Sequence, residues 1–206
     1  MKRNCITALL IIGSTFSFAQ NIPVDFEASG YGASWTWTVF ENSTNPSLQI
    51  VANPDPTGLN TSSTVARFIA LQAGNPWAGC ETMHGSDIGS FSIDTSNSII
   101  RIMVWKTKIS DVGIKLVTSS AASLGEIKVA NTLINQWEQL TFDFSAHIGG
   151  LAYDQLVVFP DFVARSANDT MYFDNVFGDA AYLGDDEISR NTTTVFPNPT
   201  NGIVTV

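Results

Sequence analysis

Residues 35–40 read Trp-Thr-Trp-Thr-Val-Phe, and this short stretch indicates the fold class of the chain. In an extended strand the two tryptophans and the valine share one face, while the two threonines and Phe40 share the other. An alternation with a period of two residues is typical of a strand in a sheet that has one buried face. The stretch therefore predicts β-structure.

The same alternation recurs along most of the chain. Clusters rich in Gly, Pro, Asn and Asp separate the runs, and no stretch has the pattern of an amphipathic helix of three turns. This spacing predicts an all-β fold, an antiparallel β-sandwich of the jelly-roll type, as one domain over residues 21–178. Further strands are predicted at residues 22–26, 48–52, 65–70, 77–83, 91–93, 99–106, 112–117, 126–129, 137–144, 156–159 and 171–176.

The composition excludes several classes of protein. With 206 residues, 44% of them hydrophobic and 14% charged, most of the chain is too apolar to be disordered. Ten basic residues stand against nineteen acidic ones, for a net charge of −9. This excess of negative charge argues against a nucleic-acid partner and against adhesion to anionic lipid, since both need a basic surface.

The first nineteen residues have the pattern of a signal peptide. Basic Lys2 and Arg3 precede an apolar run at residues 6–12, which is too short to cross a bilayer, so no membrane insertion is expected. Small residues near Ala19 predict cleavage after that residue. Cleavage removes one of the two cysteines and leaves Cys80 alone, so we expect no internal disulfide and a buried, unreactive thiol.

The chain beyond residue 178 has a different character. Residues 179–190 form an acidic linker, and residues 195–202 read Val-Phe-Pro-Asn-Pro-Thr-Asn-Gly. This last motif resembles the opening of the C-terminal sorting domain of the type IX secretion system. Residues 191–206 then correspond to a truncated start of that domain, because its later strands and basic tail do not follow. The resemblance implies export through the periplasm to the cell surface or the medium.

Catalytic signatures are weak. A glycosidase needs two carboxylates across a cleft, and the acids of the second half are scattered over several strands: Glu138, Asp143, Asp154 and Asp161. No Gly-x-Ser-x-Gly turn is present, and the two histidines are far apart in sequence. A small lyase that uses His84 with a Tyr and an Arg stays open as an alternative, as does a purely structural or adhesive domain.

Trp77 is the strongest candidate for ligand binding. It follows a Pro76 turn, and strand parity places it on one face with Gly79 and Glu81, while His84 follows shortly after. Indole rings stack on the apolar C–H faces of sugars, whose hydroxyl groups need polar partners beside the ring. The segment therefore predicts a sugar-binding surface, with burial of Trp77 in the core as the alternative.

The other four tryptophans are expected to be core residues. Trp35 and Trp37 share a face with an apolar valine. Trp137 follows a loop and Trp105 lies close to Met103, and both are expected to pack inward.

Four charged residues lie inside otherwise apolar strands or directly after them. The chain has few basic residues, so these positions are unusual. We expect them to line a concave sheet face together with Glu81 and to hydrogen-bond sugar groups, although a solvated sheet face also accounts for each one. They are Arg67, Lys106, Lys115 and Asp161.

The two ends of the domain carry acids that suggest a metal site. Glu27 follows the first predicted strand and Asp174 lies in the last one. The terminal strands of a jelly roll often lie side by side, and oxygen ligands suit Ca²⁺, so a structural calcium ion is predicted there. An unpaired acidic edge is the alternative.

Six short motifs, taken in order, resemble the jelly-roll carbohydrate-binding modules of secreted polysaccharide-degrading proteins of the Bacteroidetes type. The resemblance spans roughly residues 22–178. It implies a non-catalytic module that binds β-glucan or another cell-wall or algal glycan, holds Ca²⁺ through Glu27 and Asp174, and acts as a monomer associated with a glycan-degrading enzyme. The motifs are Asp-Phe-Glu at 25–27, Trp-Ala-Gly at 77–79, Val-Gly-Ile-Lys at 112–115, Phe-Asp-Phe-Ser at 142–145, Phe-Pro-Asp-Phe at 159–162 and Tyr-Phe-Asp-Asn at 172–175.

Overall fold

The structure is a computed structural model that describes residues 18–19 and 22–178. The predicted linker, the predicted sorting segment and residues 1–17 of the predicted signal peptide lie outside the described residues. In the described part, the chain forms strands β1 (Phe18–Ala19), β2 (Thr38–Phe40), β3 (Gln49–Ala52), β4 (Thr64–Ala70), β5 (Gly79–Glu81), β6 (Phe91–Ser92), β7 (Ile99–Trp105), β8 (Asp111–Val117), β9 (Glu126–Ala130), β10 (Trp137–Asp143), β11 (Ala152–Tyr153), β12 (Gln155–Phe159) and β13 (Asp169–Asp174).

Two five-stranded antiparallel sheets form a jelly-roll sandwich, as the alternation predicted. Sheet I has the strand order β10-β7-β13-β4-β3, and sheet II has the order β2-β5-β12-β8-β9. A small third sheet has the order β1-β6-β11, with β1 parallel to β6. A single 3₁₀ turn spans Ser145–His147, and no helix among the described residues is long and apolar enough to cross a membrane.

The core lies between the two large sheets and follows from the period of two. Ile100 and Ile102 of β7 point inward from sheet I, and Ile114 and Leu116 of β8 point inward from sheet II. Cys80 of β5 is fully buried in this core, and burial raises the pKa of its thiol, which keeps it protonated and unreactive.

Most predicted strands agree with the structure, although β2 covers only Thr38–Phe40 of residues 35–40 and β5 only Gly79–Glu81 of residues 77–83. The first predicted strand is absent. Residues 22–26 form no strand: Val24 makes only an isolated antiparallel bridge to Val176. Phe26 has a φ of 53°, which is outside the extended region, and its N–H donates to the carbonyl of Tyr31 in a tight turn. The bridge still brings the first and last segments of the domain side by side, as the expected jelly roll requires.

Two of the charged residues expected on a concave face are buried instead. Lys106 is 1% exposed and Asp161 is 0% exposed, so a ligand has no access to either. The Lys106 Nζ donates to Ser110 Oγ at 2.6 Å and lies 3.9 Å from Asp161 Oδ1. The expectation was wrong for these two because each charge finds its partners inside the protein, where pairing offsets the cost of desolvation.

Asp161 is the centre of this buried network. Its Oδ2 accepts a hydrogen bond from Arg165 Nε at 2.8 Å and lies 3.0 Å from Lys108 Nζ. Burial alone raises the pKa of Asp161, but the hydrogen bonds from Ser110, Lys108 and Arg165 outweigh it and hold the pKa below its ordinary value. Burial lowers the pKa of Lys106 to about 8, against the opposing effect of Asp161.

We predict that Asp161→Ala lowers the free energy of unfolding by about 3–5 kcal/mol, because it leaves buried cations without a counter-charge. Lys106→Met should cost much less, since Asp161 then keeps Lys108 and Arg165. Urea denaturation of the two variants measures both values. Equal losses in the two variants would contradict the central place of Asp161 in the network.

Candidate functional site

The outer face of sheet II has an apolar floor. Val117, Val157 and Phe159 form a cluster separate from the main core, and Phe40 and Phe162 pack against it. These side chains alternate with core residues along β8 and β12. The outer face of a sandwich normally carries polar side chains. Val117, Val157 and Phe159 are 3–7% exposed, so they form a largely covered apolar floor beneath the side chains around them.

The floor is part of a depression of about 560 Å³, which lies in the size range of small-ligand sites. We call it the groove. It is lined by Phe40, Trp77, Glu81, His84, Lys115, Val117, Ala121, Glu126, Gln155, Val157, Phe159 and Phe162.

Two glycines make room for the Phe159 ring. A methyl group on Gly79 would lie 2.8 Å from Phe40 Cζ and 3.2 Å from Phe159 Cδ1. On the other side, a methyl group on Gly113 would lie 3.0 Å from Phe159 Cδ2. The absence of a side chain on both neighbouring strands therefore lets the Phe159 ring lie between them.

Aromatic rings surround this position. The Phe159 ring meets Phe40 edge-on, with centroids 5.8 Å apart, and meets Phe162 at 5.3 Å. The Nζ of Lys128 lies 4.3 Å from the centroid of the Phe162 ring. The three phenylalanines thus form a continuous aromatic surface on one side of the groove.

Trp77 lies at the rim of the groove. Its side chain is 47% exposed, whereas the next residue, Ala78, is fully buried. The N–H of Ala78 donates to the carbonyl of Asn75 at 2.9 Å, which closes the turn that begins before Pro76 and presents the indole. Trp77 is therefore exposed at the groove and is not buried in the core.

A row of polar side chains crosses the groove beside the floor. Glu81 of β5 and Lys115 of β8 both lie directly opposite Val157 of β12, and Glu126 of β9 lies opposite Lys115. Burial raises the pKa of Glu81, although His84 and Lys115 act to lower it. The groove thus offers a partly desolvated carboxylate and an ammonium group within one row.

His84 is held at the end of the groove by Asp154. The distance between His84 Nδ1 and Asp154 Oδ1 is 2.7 Å. An ionised carboxylate only accepts hydrogen bonds, so Nδ1 carries the proton in this pair. Gln155, the next residue, is fixed by a hydrogen bond from its Nε2 to the carbonyl of Thr82 at 2.8 Å.

The structure thus brings together three of the six predicted binding residues. Trp77, Glu81 and Lys115 line the groove. Arg67 lies on sheet I, where it contacts the side chain of Gln49, and Lys106 and Asp161 are buried in the network described above. Sequence reasoning missed Phe159, although its parity with Val157 within β12 places both on the outer face.

The remaining tryptophans are accounted for in two ways. Trp35 and Trp37 stack on each other with centroids 6.2 Å apart and pack against the main core, as expected. Trp137 is 5% exposed and donates from Nε1 to Asn53 Oδ1 at 3.0 Å. It is buried, as expected, in a cluster with Val65 and Met103 that is separate from the main core, and Trp105 is partly buried against this cluster.

The two carboxylates predicted to bind calcium lie on either side of residues 60–64. Glu27 accepts hydrogen bonds from the N–H and the hydroxyl of Thr64, both at 3.1 Å. Asp174 is fully buried, and its Oδ2 accepts from Asn60 Nδ2 at 2.9 Å. Burial raises the pKa of Asp174 to about 7. No group of three or more His, Cys, Asp or Glu side chains in the described part of the chain is arranged around a metal position.

Comparisons with known proteins identify solved structures of similar fold. No family model matches the chain, and no curated protein matches it significantly. Similar solved structures include the arabinose-bound α-L-arabinofuranosidase MgGH51, with a TM-score of 0.53 at 14% identity over 76% of this chain and 26% of that chain. At these levels of identity the likenesses show the fold.

Two further similar structures contain carbohydrate-binding modules. A lysine-to-alanine mutant of the family 29 module CBM29-2 has a TM-score of 0.46 at 13% identity, over 80% of this chain and 96% of that chain. The CBM22-1–GH10 part of a Clostridium thermocellum xylanase, complexed with xylohexaose, has a TM-score of 0.47 at 11% identity over 77% of this chain and 28% of that chain. This chain spans about a quarter of the arabinofuranosidase and of the xylanase chain.

We predict that Gly79→Ala destabilises the protein by roughly 1–3 kcal/mol, because the new methyl group would lie 2.6 Å from the carbonyl oxygen of Val158. Gly113→Ala is the matched control: the three atoms nearest to its methyl group all belong to the Phe159 side chain, at 3.0–3.4 Å, and this side chain can move by a few tenths of an ångström. Thermal unfolding compares the two variants. A larger loss in Gly113→Ala would contradict this account of the floor.

Proposed function

We propose that this protein is a non-catalytic module that binds a polysaccharide in the groove. The observation that carries the proposal is the exposed indole of Trp77 beside an apolar floor on an outer sheet face. Sugars present apolar C–H faces that stack on aromatic rings, and Glu81, Lys115 and Gln155 offer partners to their hydroxyl groups. β-Glucan and other cell-wall or algal glycans are the proposed ligands.

The spacing of the acids in the groove argues against a glycosidase. Glu81 and Glu126 lie on β5 and β9, with β12 and β8 between them. Three strand spacings separate their backbones by roughly 14 Å. A glycosidase holds its two carboxyl groups about 5–9.5 Å apart, which is less than this backbone separation for either stereochemical outcome.

A lyase is the second candidate, favoured by one observation. The paired His84 and Asp154 place an oriented imidazole at the groove, and Lys115 is available to neutralise a uronate carboxylate. The described residues that line the groove include neither a Tyr nor an Arg to complete the expected set. Incubation with a glycan panel separates the candidates: release of unsaturated or reducing ends supports an enzyme, and retention without release supports a binding module.

We predict that Trp77→Ala weakens polysaccharide binding roughly tenfold or more, since it removes the exposed ring that stacks on the sugar. Its stability should stay close to that of the wild type. Affinity electrophoresis through gels that contain soluble glycans measures the loss as a reduced retardation.

Tyr31→Ala is the matched control for this prediction. Tyr31 is also 47% exposed, but it lies outside the groove and contacts Trp35. It should be retarded like the wild type. Equal retardation of wild type, Trp77→Ala and Tyr31→Ala would exclude the groove, and no retardation of the wild type in any gel would favour a structural or adhesive domain.

We further propose that Glu27 and Asp174 hold a structural Ca²⁺. The support is chemical: Asp174 is a fully buried carboxylate, and burial together with the nearby charge of Asp25 raises its pKa, with no positive charge of the described residues to oppose them. Asp25 is a third acid here, since it lines one depression with Glu27 and its charge acts on Asp174. Neutral oxygens of the chain, such as backbone carbonyls, would supply the remaining ligands.

Chelation tests this site. Removal of calcium should lower the melting temperature of the wild type by roughly 5–10 °C, because a bound ion stabilises only the folded state. Glu27→Ala should start lower and show no further loss with the chelator, whereas Glu41→Ala should behave like the wild type. An equal response of wild type and Glu27→Ala to chelation would contradict the site.

The export of the module, its location and its association with an enzyme are also proposals. We propose that the chain is exported by its N-terminal signal peptide, delivered outward by type IX secretion, and acts as a monomer near a glycan-degrading enzyme. Attachment to an enzyme or cell surface raises the effective concentration of glycan around a weak binding site. Fractionation of the native host tests the location: protein found only in the cytoplasm would contradict it.

A further inference from the structure

The carboxylate of Glu81 differs from those of the other acids around the groove. Asp154 is held by His84 at 2.7 Å, and Glu126 is exposed at the edge strand β9. Glu81 is partly buried at the end of β5, and no donor among residues 22–178 hydrogen-bonds its carboxylate oxygens. A partly desolvated carboxylate with free acceptor sites favours a ligand that supplies hydrogen-bond donors.

The positive charges near Glu81 leave the acceptor sites of its carboxylate free. Lys115 lies on the far side of Val157 and faces Glu126 directly across the β8–β9 pair, where opposite charges attract. His84 is paired with Asp154. The lining of the groove therefore has no surplus of cations to neutralise Glu81, on a chain whose net charge is −9.

We infer that Glu81 is the residue that sets ligand specificity: its carboxylate accepts hydrogen bonds from hydroxyl groups of a neutral polysaccharide and excludes glycans that carry carboxylate or sulfate groups. This inference rests on the proposed function. A hydroxyl pair of a sugar supplies two donors to the two oxygens of a carboxylate, and these charge-assisted hydrogen bonds are among the stronger ones. An anionic sugar in the same position supplies no donor at its charged group and repels Glu81.

The competing possibility is that Lys115 recruits an anionic glycan. An ammonium group in a groove can pair with a uronate. The position of Lys115 in the row between Glu81 and Glu126 argues against it, because two carboxylates of the groove compete with an anionic ligand for one ammonium group. The two possibilities predict opposite ligand preferences.

Isothermal titration of the wild type with two neutral glycans, mixed-linkage β-glucan and xylan, and two anionic ones, alginate and polygalacturonate, decides between them. We expect binding to a neutral glycan that changes less than about twofold between low and high salt, roughly 50 mM and 500 mM, and no measurable binding to either anionic glycan. Binding of an anionic glycan as tightly as a neutral one would overturn the inference while leaving a polysaccharide-binding function. Failure of all four to bind would overturn the inference and count against the proposed function.

Variants locate the effect at Glu81. Glu81→Gln keeps the size of the side chain and replaces one acceptor oxygen by an amide, so affinity for the neutral glycan should fall about tenfold or more. Asp143→Asn, which removes an exposed carboxylate of β10 in sheet I, outside the groove, should change affinity less than about twofold. Melting temperatures within about 3 °C of the wild type establish that both variants fold. An unchanged affinity of Glu81→Gln would overturn the assignment.

Discussion

The strict alternation of side chains along β8 and β12 is the constraint on which the rest of the structure depends. Ile114 and Val158 lie opposite each other in this strand pair and point into the core, while Lys115 and Val157 form the next opposed pair and point out into the groove. The same backbone register therefore builds the interior of the sandwich and the floor of its binding face. A shift of one residue would exchange the two sets, so stability and binding are tied to a single register.

The alternation also explains how much of the fold could be predicted. Most strands of the two large sheets have a clear period of two, and the sandwich and most strand positions follow from it. Trp77 precedes β5, so the turn closed by Ala78 and Asn75, and not the alternation, places it at the groove. The exception is residues 22–26, where Phe26 adopts a positive φ that no alternation pattern reveals. A short-range pattern predicts the direction of side chains within a strand, but not whether a partner strand is present.

The site was predictable only in part, because burial of a charged residue depends on contacts that are distant in sequence. Lys106 and Lys115 both occur beside apolar strand residues, yet Lys106 is enclosed by Ser110 and Asp161 while Lys115 faces the groove. Likewise, the importance of Phe159 emerges only when the glycines of β5 and β8 are seen on either side of its ring. The sequence alone does not show that these two glycines, which are far apart in the chain, lie on either side of one ring.

The most direct measurement of the central claim is a titration of isotope-labelled protein with a soluble neutral glycan, followed through the indole N–H signals in NMR spectra. The account predicts that the Trp77 signal moves, while those of Trp37 and Trp137 stay in place, since these two indoles donate to Gly32 and Asn53 inside the protein. A shift confined to other tryptophans, with Trp77 unmoved at saturation, would contradict binding in the groove.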